Sequence, residues 1–327
     1  MRRGKQRLPR TMLPTNVKTM KLRSKIVLLV LLITNTAAAF AQADRGAMVR
    51  VGSIYIAPDA TSAKLADVER GREVAVLGTS RDWLNVEATL TEERVVTGWI
   101  KDKGVVRAST PNGDRVLFGE AVDSEDQASQ RHGRRGAAQD AMRLYYRVAE
   151  LFPNSPLAGE AMYRSADIRW QIDKPDVMTR PSARDSKSPM REGINDDFMK
   201  QVMKKFPGTK WADLAAFHLV DNKLCSDWQG ASKCPDKEAD AYEKYANEHP
   251  QSPALGEALY DAAWRRAALI EIYKTEDQAK KSEESRSKAM ALAQKAAQAS
   301  QGDWGARAQR LLYMISQGIP TYGNAED

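Results

Sequence analysis

Phe152-Pro-Asn-Ser-Pro-Leu-Ala-Gly-Glu-Ala-Met-Tyr163 is the stretch whose reading decides the fold of this chain. It returns as His249-Pro-Gln-Ser-Pro-Ala-Leu-Gly-Glu-Ala-Leu-Tyr260, and in weaker form as Phe206-Pro-Gly-Thr-Lys-Trp-Ala-Asp-Leu-Ala-Ala-Phe217. Each copy ends one amphipathic helix at a Pro, turns through a small polar residue and starts the next helix. Ser155 and Ser252 can cap the new helix, and Pro156 and Pro253 sit at its first turn, where a missing N–H costs nothing. One helical hairpin cannot bury its apolar faces alone, so recurrence of the unit predicts stacked hairpins over 112–318.

Working outward, the helix before each Pro carries a second regularity. Tyr145, Met199 and Tyr242 all stand eight residues ahead of the closing Pro, and Ala141 stands twelve ahead of Pro153. Trp211 and Trp304 share one repeat position, which points to packing between helices. Between the first two copies, 173–192 holds Pro175, Pro181 and Pro189 among polar residues and reads as a loop insertion. It stretches the Pro153-to-Pro207 interval to 54 residues, against 43 for Pro207 to Pro250. The tail, 319–327, reads as disordered.

Ahead of Thr110–Asp114 the period is two rather than 3.6. Ile54-Tyr-Ile56, Glu73-Val-Ala-Val-Leu77, Trp83-Leu-Asn-Val-Glu87 and Val95-Val-Thr-Gly-Trp-Ile100 are short strands separated by turn signals, which suggests a small barrel over 46–108. The expected class is therefore α+β: a small β-barrel followed by an α-helical solenoid.

The formal charge of +7 invites a nucleic-acid reading, but residues 1–41 carry nine Lys or Arg and no acid, so without them the charge is −2. No basic stripe that would track phosphates is left, and no nucleic-acid partner is expected. The first 43 residues have the order of a signal peptide: Lys21, Arg23 and Lys25, the apolar run Ile26–Ile33, then Ala39-Phe40-Ala41 and Ala41-Gln42-Ala43 as cleavage sites. Met20 can serve as the start, since a complete basic region follows it. Eight clearly apolar residues are too few for a bilayer that needs ~20. An exported chain meets an oxidising compartment, where Cys225 and Cys234, the only two cysteines, suit a local disulfide.

Catalytic patterns are missing. His132, His218 and His249 are scattered, and no nucleophile elbow, P-loop, dinucleotide fingerprint or His-Glu-x-x-His occurs. Two Cys without a nearby His are poor zinc ligands, so neither metal nor cofactor is expected. The candidate ligand-binding residues are the aromatics Tyr55, Trp83 and Trp99; the two tryptophans read first as filling the barrel and its rim and second as ligand contacts, and Tyr55 beside them is the leading contact.

Two resemblances extend this reading. Ile54-Tyr-Ile-Ala-Pro58, Arg70-Gly71, Asp82-Trp83-Leu-Asn-Val86 and Gly98-Trp99-Ile100 together resemble a bacterial SH3 (SH3b) domain, with its extended opening, turn Gly, Trp-x-x-Val strand and closing Gly-Trp. Tyr55 stands where that family often has Arg. The resemblance implies binding to cell-wall peptides or peptidoglycan. The Ala141/Tyr145/Pro153 spacing, and the phrase from Tyr145 through Phe152-Pro-Asn-Ser-Pro-Leu-Ala-Gly-Glu-Ala161, resemble tetratricopeptide-like outer-membrane assembly proteins of the BamD type and their Tol-associated relatives. Those proteins bind other proteins and do no chemistry; the lipid-anchor Cys of the BamD pattern is absent here. The combined expectation is a non-catalytic, exported, periplasmic protein whose barrel binds cell wall and whose repeats bind a protein partner. An outer-membrane assembly factor, with both modules binding proteins, is the alternative.

Overall fold

The structure is a computed structural model that describes residues 44–179, 193–225, 228 and 230–321. The signal-peptide reading of 1–43, residues 180–192 of the insertion and residues 322–327 of the tail lie outside the described residues. From Arg45 onward the chain makes up one compact unit.

Seven strands come first: β1 (Asp44–Met48), β2 (Gly52–Tyr55), β3 (Lys64–Val68), β4 (Glu73–Ser80), β5 (Trp83–Thr91), β6 (Arg94–Lys101) and β7 (Val105–Arg107). They form one sheet in the order β3-β2-β6-β5-β4-β1-β7. Alternation sets the two faces. Leu84, Val86 and Ala88 of β5 point inward and pack with Met48, Ile54, Val68, Val74 and Ile100. Trp83, Asn85 and Glu87 therefore belong to the outer face.

Nine described helices come after the sheet: α1 (Gly113–Ser129), α2 (Ala137–Leu151), α3 (Ala158–Thr179), α4 (Asp197–Lys205), α5 (Lys210–Asp221), α6 (Lys233–Glu248), α7 (Leu255–Thr275), α8 (Ala279–Ala299) and α9 (Asp303–Ser316). The chain is thus α+β, an antiparallel sheet and then helices. Ser155 Oγ accepts from the N–H of Leu157 (3.1 Å) and donates to Asp114 (2.6 Å), and Ser252 Oγ accepts from the N–H of Ala254 (3.1 Å). Both serines hold the turn just ahead of the helix. In the weaker copy Thr209 is the helix cap itself, accepting from the N–H of Ala212.

The first and last copies each end on an aromatic contact. Tyr163, which ends the first copy, stacks on Trp211 at 5.6 Å, and Tyr260, which ends the last, meets Trp304 at 5.5 Å. Gly159 and Gly256 occupy equivalent places in the two copies. A Cβ on Gly159 would lie 3.0 Å from Trp211, and one on Gly256 2.7 Å from Ser300. The glycines therefore set how closely one unit approaches the next. Tyr145, Met199 and Tyr242 are all buried, so the position eight residues before the Pro is a core position.

Two boundaries differ from those the sequence suggests. The helix α3 runs through Pro175 to Thr179, past the expected start of the insertion at Asp173. Packing overrides the proline: Val177 is buried with Trp170, Ile194 and Met199, and Lys174 pairs with Asp221 at 2.8 Å. Of the expected disordered tail, residues 319–321 pack on the last helix: Thr321 is 4% exposed, and the N–H of Ile319 donates to the Met314 carbonyl.

The sheet and the first helices share a core. Ala47 of β1 and Val106 of β7 pack with Leu117, Ala121, Ala141, Leu144 and Val148. Charged groups line the seam above it. Arg45 and Arg147 both pair with Glu73, Arg70 pairs with Glu120, and Arg143 donates to the carbonyl of Arg70 at 2.9 Å. Gly71 turns the chain there with φ +68°, and a Cβ would lie 2.5 Å from that of Arg143. Only glycine lets β4 start this close to α2.

Candidate functional site

Cross-strand register brings the three aromatic candidates together. Tyr55 on β2 stands directly opposite Trp99 on β6, and Trp99 stands opposite Asn85 on β5. One row further, Trp83 stands opposite Lys101. All belong to the outer face, because their strand neighbours Ile54, Leu84 and Ile100 fill the inner core. Tyr55 meets Trp83 edge to face at 5.7 Å with an interplanar angle of 88°, the favoured arrangement of two ring quadrupoles.

Trp83 is only 5% exposed, yet it is not part of the inner core. Tyr55 packs on its edge, and the Lys101 ammonium sits 4.2 Å from its ring centroid. Lys101 is held at 2.6 Å by Asp82, whose carboxyl falls below its ordinary value through that hydrogen bond. Tyr55 and Trp99 keep partial exposure and present the rings that a ligand would meet. Asn85, Asp82 and Lys101 supply polar groups beside them. Sequence reasoning did not single out these three, though the period-two pattern of β5 and β6 places Asn85 and Lys101 on the same face.

The arrangement is a shallow aromatic platform with a polar rim. It can stack a sugar ring or a planar peptide group and accept or donate hydrogen bonds at one edge. It offers neither a paired acid and base nor an activated nucleophile. Among the described residues, no group of three or more His, Cys, Asp or Glu could hold a metal ion.

The remaining sites lie in the helices. Cys225 and Cys234 are disulfide-bonded, with Cα atoms 6.0 Å apart, as suits a non-reducing, exported compartment. No described helix is long and apolar enough to cross a membrane. The disulfide closes onto a buried acid that the sequence did not reveal. Glu238 Oε1 accepts from the Cys225 N–H (2.7 Å) and the Trp228 indole N–H (3.2 Å), and Oε2 accepts from Arg265 Nε (2.8 Å). Glu238 stands twelve residues before Pro250, where the first unit has Ala141. His218 lies 3.2 Å from both the Tyr163 hydroxyl and Asp167, and His249 lies 2.8 Å from Asp213. Burial raises the Tyr163 phenol well above its ordinary value. These groups tie neighbouring helices together.

No family model and no curated protein sequence matches this chain. Among solved structures it is similar to a chain described as a DHF79 filament. The two are 14% identical over 61% of this chain and 96% of that one, with a TM-score of 0.18. A score this low assigns no fold.

Proposed function

We propose that this protein is a non-catalytic, exported component of the cell envelope. Its SH3-like sheet module binds cell-wall peptidoglycan, and its tetratricopeptide-like helices recruit a protein partner. The observation that carries the reading is the pairing of half-exposed Tyr55 and Trp99 on the outer side of the sheet, with Tyr55 packed on the buried Trp83. Two half-exposed rings, Tyr55 and Trp99, opposite each other on an outer face are poorly explained by core packing, whereas sugars and peptides use such platforms through stacking. The disulfide supports export, and the repeated Tyr163–Trp211 and Tyr260–Trp304 contacts support stacked hairpins.

A platform this small buries little surface. A few kcal/mol of stacking corresponds to roughly millimolar affinity for one wall unit. The repeated units of a wall raise the effective strength through avidity. The test is co-sedimentation of the full chain with purified sacculi. Wild-type protein should pellet with the wall, and Tyr55→Ala with Trp99→Ala should leave most of it in solution while the variant stays folded by circular dichroism. Equal pelleting of both would refute the wall-binding reading. Capture of outer-membrane proteins without wall binding would favour an assembly role instead.

A further inference from the structure

From Trp99 a line of polar side chains leads across the sheet. Asn85, Glu87 and Thr89 alternate along β5 on the face that carries Trp99, over ~14 Å of strand. Asn85 stands opposite Trp99 on one side and Gly78 of β4 on the other. A Cβ on Gly78 would meet nothing nearer than the Asn85 Cβ at 4.0 Å, so the row beside the rings is open. Glu87 and Thr89 then enter a cleft of about 380 Å³, which Arg143 and Arg147 of α2 also line. Rings, open row and cleft make one path.

The path is polar but favours neither sign of charge. Arg72 pairs with Glu69 at 3.4 Å, Arg143 with Asp140 and with Glu69 at 3.4 Å, and Arg147 with Glu150 and with Glu73 at 2.8 Å. Every arginine on the lining is thus neutralised. Glu73 and Glu87 repel an anionic ligand, and the three arginines that share the cleft disfavour a cationic one. Hydrogen-bonding capacity remains. The side chains of Asn85 and Glu87 have no protein partner among the described residues. Arg143 engages through Nε and Nη2 and Arg147 through Nε and Nη1, which leaves donors on the other nitrogens.

An extended peptide docks best along an unpaired strand edge, where main-chain groups are free. The β5 backbone is paired on both sides, by β4 and β6, so this face offers side chains alone. We infer that the path holds a neutral glycan chain with acetamido groups, the sugar rather than the peptide part of a wall. The C–H face of one ring stacks on Tyr55 and Trp99, and its acetamido group pairs with the Asn85 amide in the space beside Gly78. Hydroxyls of the following rings, which both donate and accept, meet Glu87, Thr89 and the remaining arginine N–H groups. The inference rests on the wall-binding half of the proposed function and names the ligand class.

The experiment is isothermal titration calorimetry of the full chain with chitobiose, chitohexaose and a soluble wall-stem tetrapeptide. Chitohexaose should bind about tenfold more tightly than chitobiose, because only the longer chain reaches the cleft, and added salt should change this little. The tetrapeptide should not bind. Glu87→Ala should weaken chitohexaose about tenfold and leave chitobiose unchanged. Gly78→Val, a residue suited to a strand, should weaken both sugars by filling the open row. Should that variant fail to fold by circular dichroism, exposed Glu87 decides alone. Equal affinity for the two sugars, tighter binding of the tetrapeptide, or no effect of Glu87→Ala overturns the inference. Sacculi that pellet the protein while chitohexaose fails to bind overturn it and leave wall binding standing; failure with sacculi as well overturns both.

Discussion

Replacing Glu238 by Ala should remove most of the stability of the last helical units. Glu238 is 1% exposed and its partner Arg265 is 5% exposed. Breaking a buried ion pair from one side costs about 3–5 kcal/mol, because the remaining charge keeps its desolvation penalty. Asp261 lies 3.6 Å from Arg265 and takes up part of that charge, which moves the expected cost to the lower end. Loss of the acceptor also strands the Trp228 indole N–H and the Cys225 N–H, at about 1–3 kcal/mol for each group that water cannot reach. A net loss of about 4 kcal/mol is a large share of the 5–15 kcal/mol typical of a folded domain. The assay is urea unfolding under non-reducing conditions, with Glu238→Met/Arg265→Met as the paired variant. Removing both charges should restore at least half of the loss, since well-packed apolar replacements of buried pairs are often neutral. A single-variant cost below about 1 kcal/mol, or a double variant as unstable as the sum, would refute this reasoning.

Other consequences concern the seam, the loop and pH. Gly71→Ala should destabilise by about 2 kcal/mol or more in calorimetry, from the left-handed backbone alone about 1–2 and from the contact with Arg143 in addition. An unchanged melting temperature would mean the turn can move off α2. Reducing Cys225–Cys234 should lower stability by about 2–3 kcal/mol in chemical unfolding; no change would show that the loop adds no constraint. The Glu73 carboxyl is held below its ordinary value by the Arg45 hydrogen bond, against burial and with the help of the Arg147 and Arg45 charges. Its stabilisation is present above the ordinary glutamate range and lost as pH falls through and below it, so Glu73→Gln should flatten the acid limb of the stability curve. Burial pushes the Tyr245 phenol up to about 12 from an ordinary value of 10.0. The unfolded chain releases this proton first, so stability should decline between those two values, and Tyr245→Phe should lessen the decline.

Local order was legible in the residues, and long-range pairing was not. Alternation along Trp83–Glu87 and Val95–Ile100 was enough to place Trp83 and Trp99 on strands, and the turn signal at Pro153 closes α2 as it stands. Pro175 misled because a proline signals a break locally, whereas Val177 gains a buried site that only the folded units create. Glu238 looked like one acid among many on a polar helix. Its burial depends on Arg265, 27 residues on, and on a loop that the disulfide closes. The Arg147–Glu73 pair spans 74 residues, and no periodicity encodes such a contact. The aromatic platform was therefore partly readable, and its Lys101 and Asn85 rim less so.

The central claim is that the outer face of the sheet is the wall-binding surface. The most direct measurement is a titration of the seven indole N–H resonances with soluble peptidoglycan fragments. The account predicts saturable shifts of Trp99 and Trp83, abolished by Tyr55→Ala, with Trp211, Trp264 and Trp304 unmoved. Shifts confined to the helical tryptophans, or none at Trp83 and Trp99 while intact sacculi still pellet the protein, would contradict it.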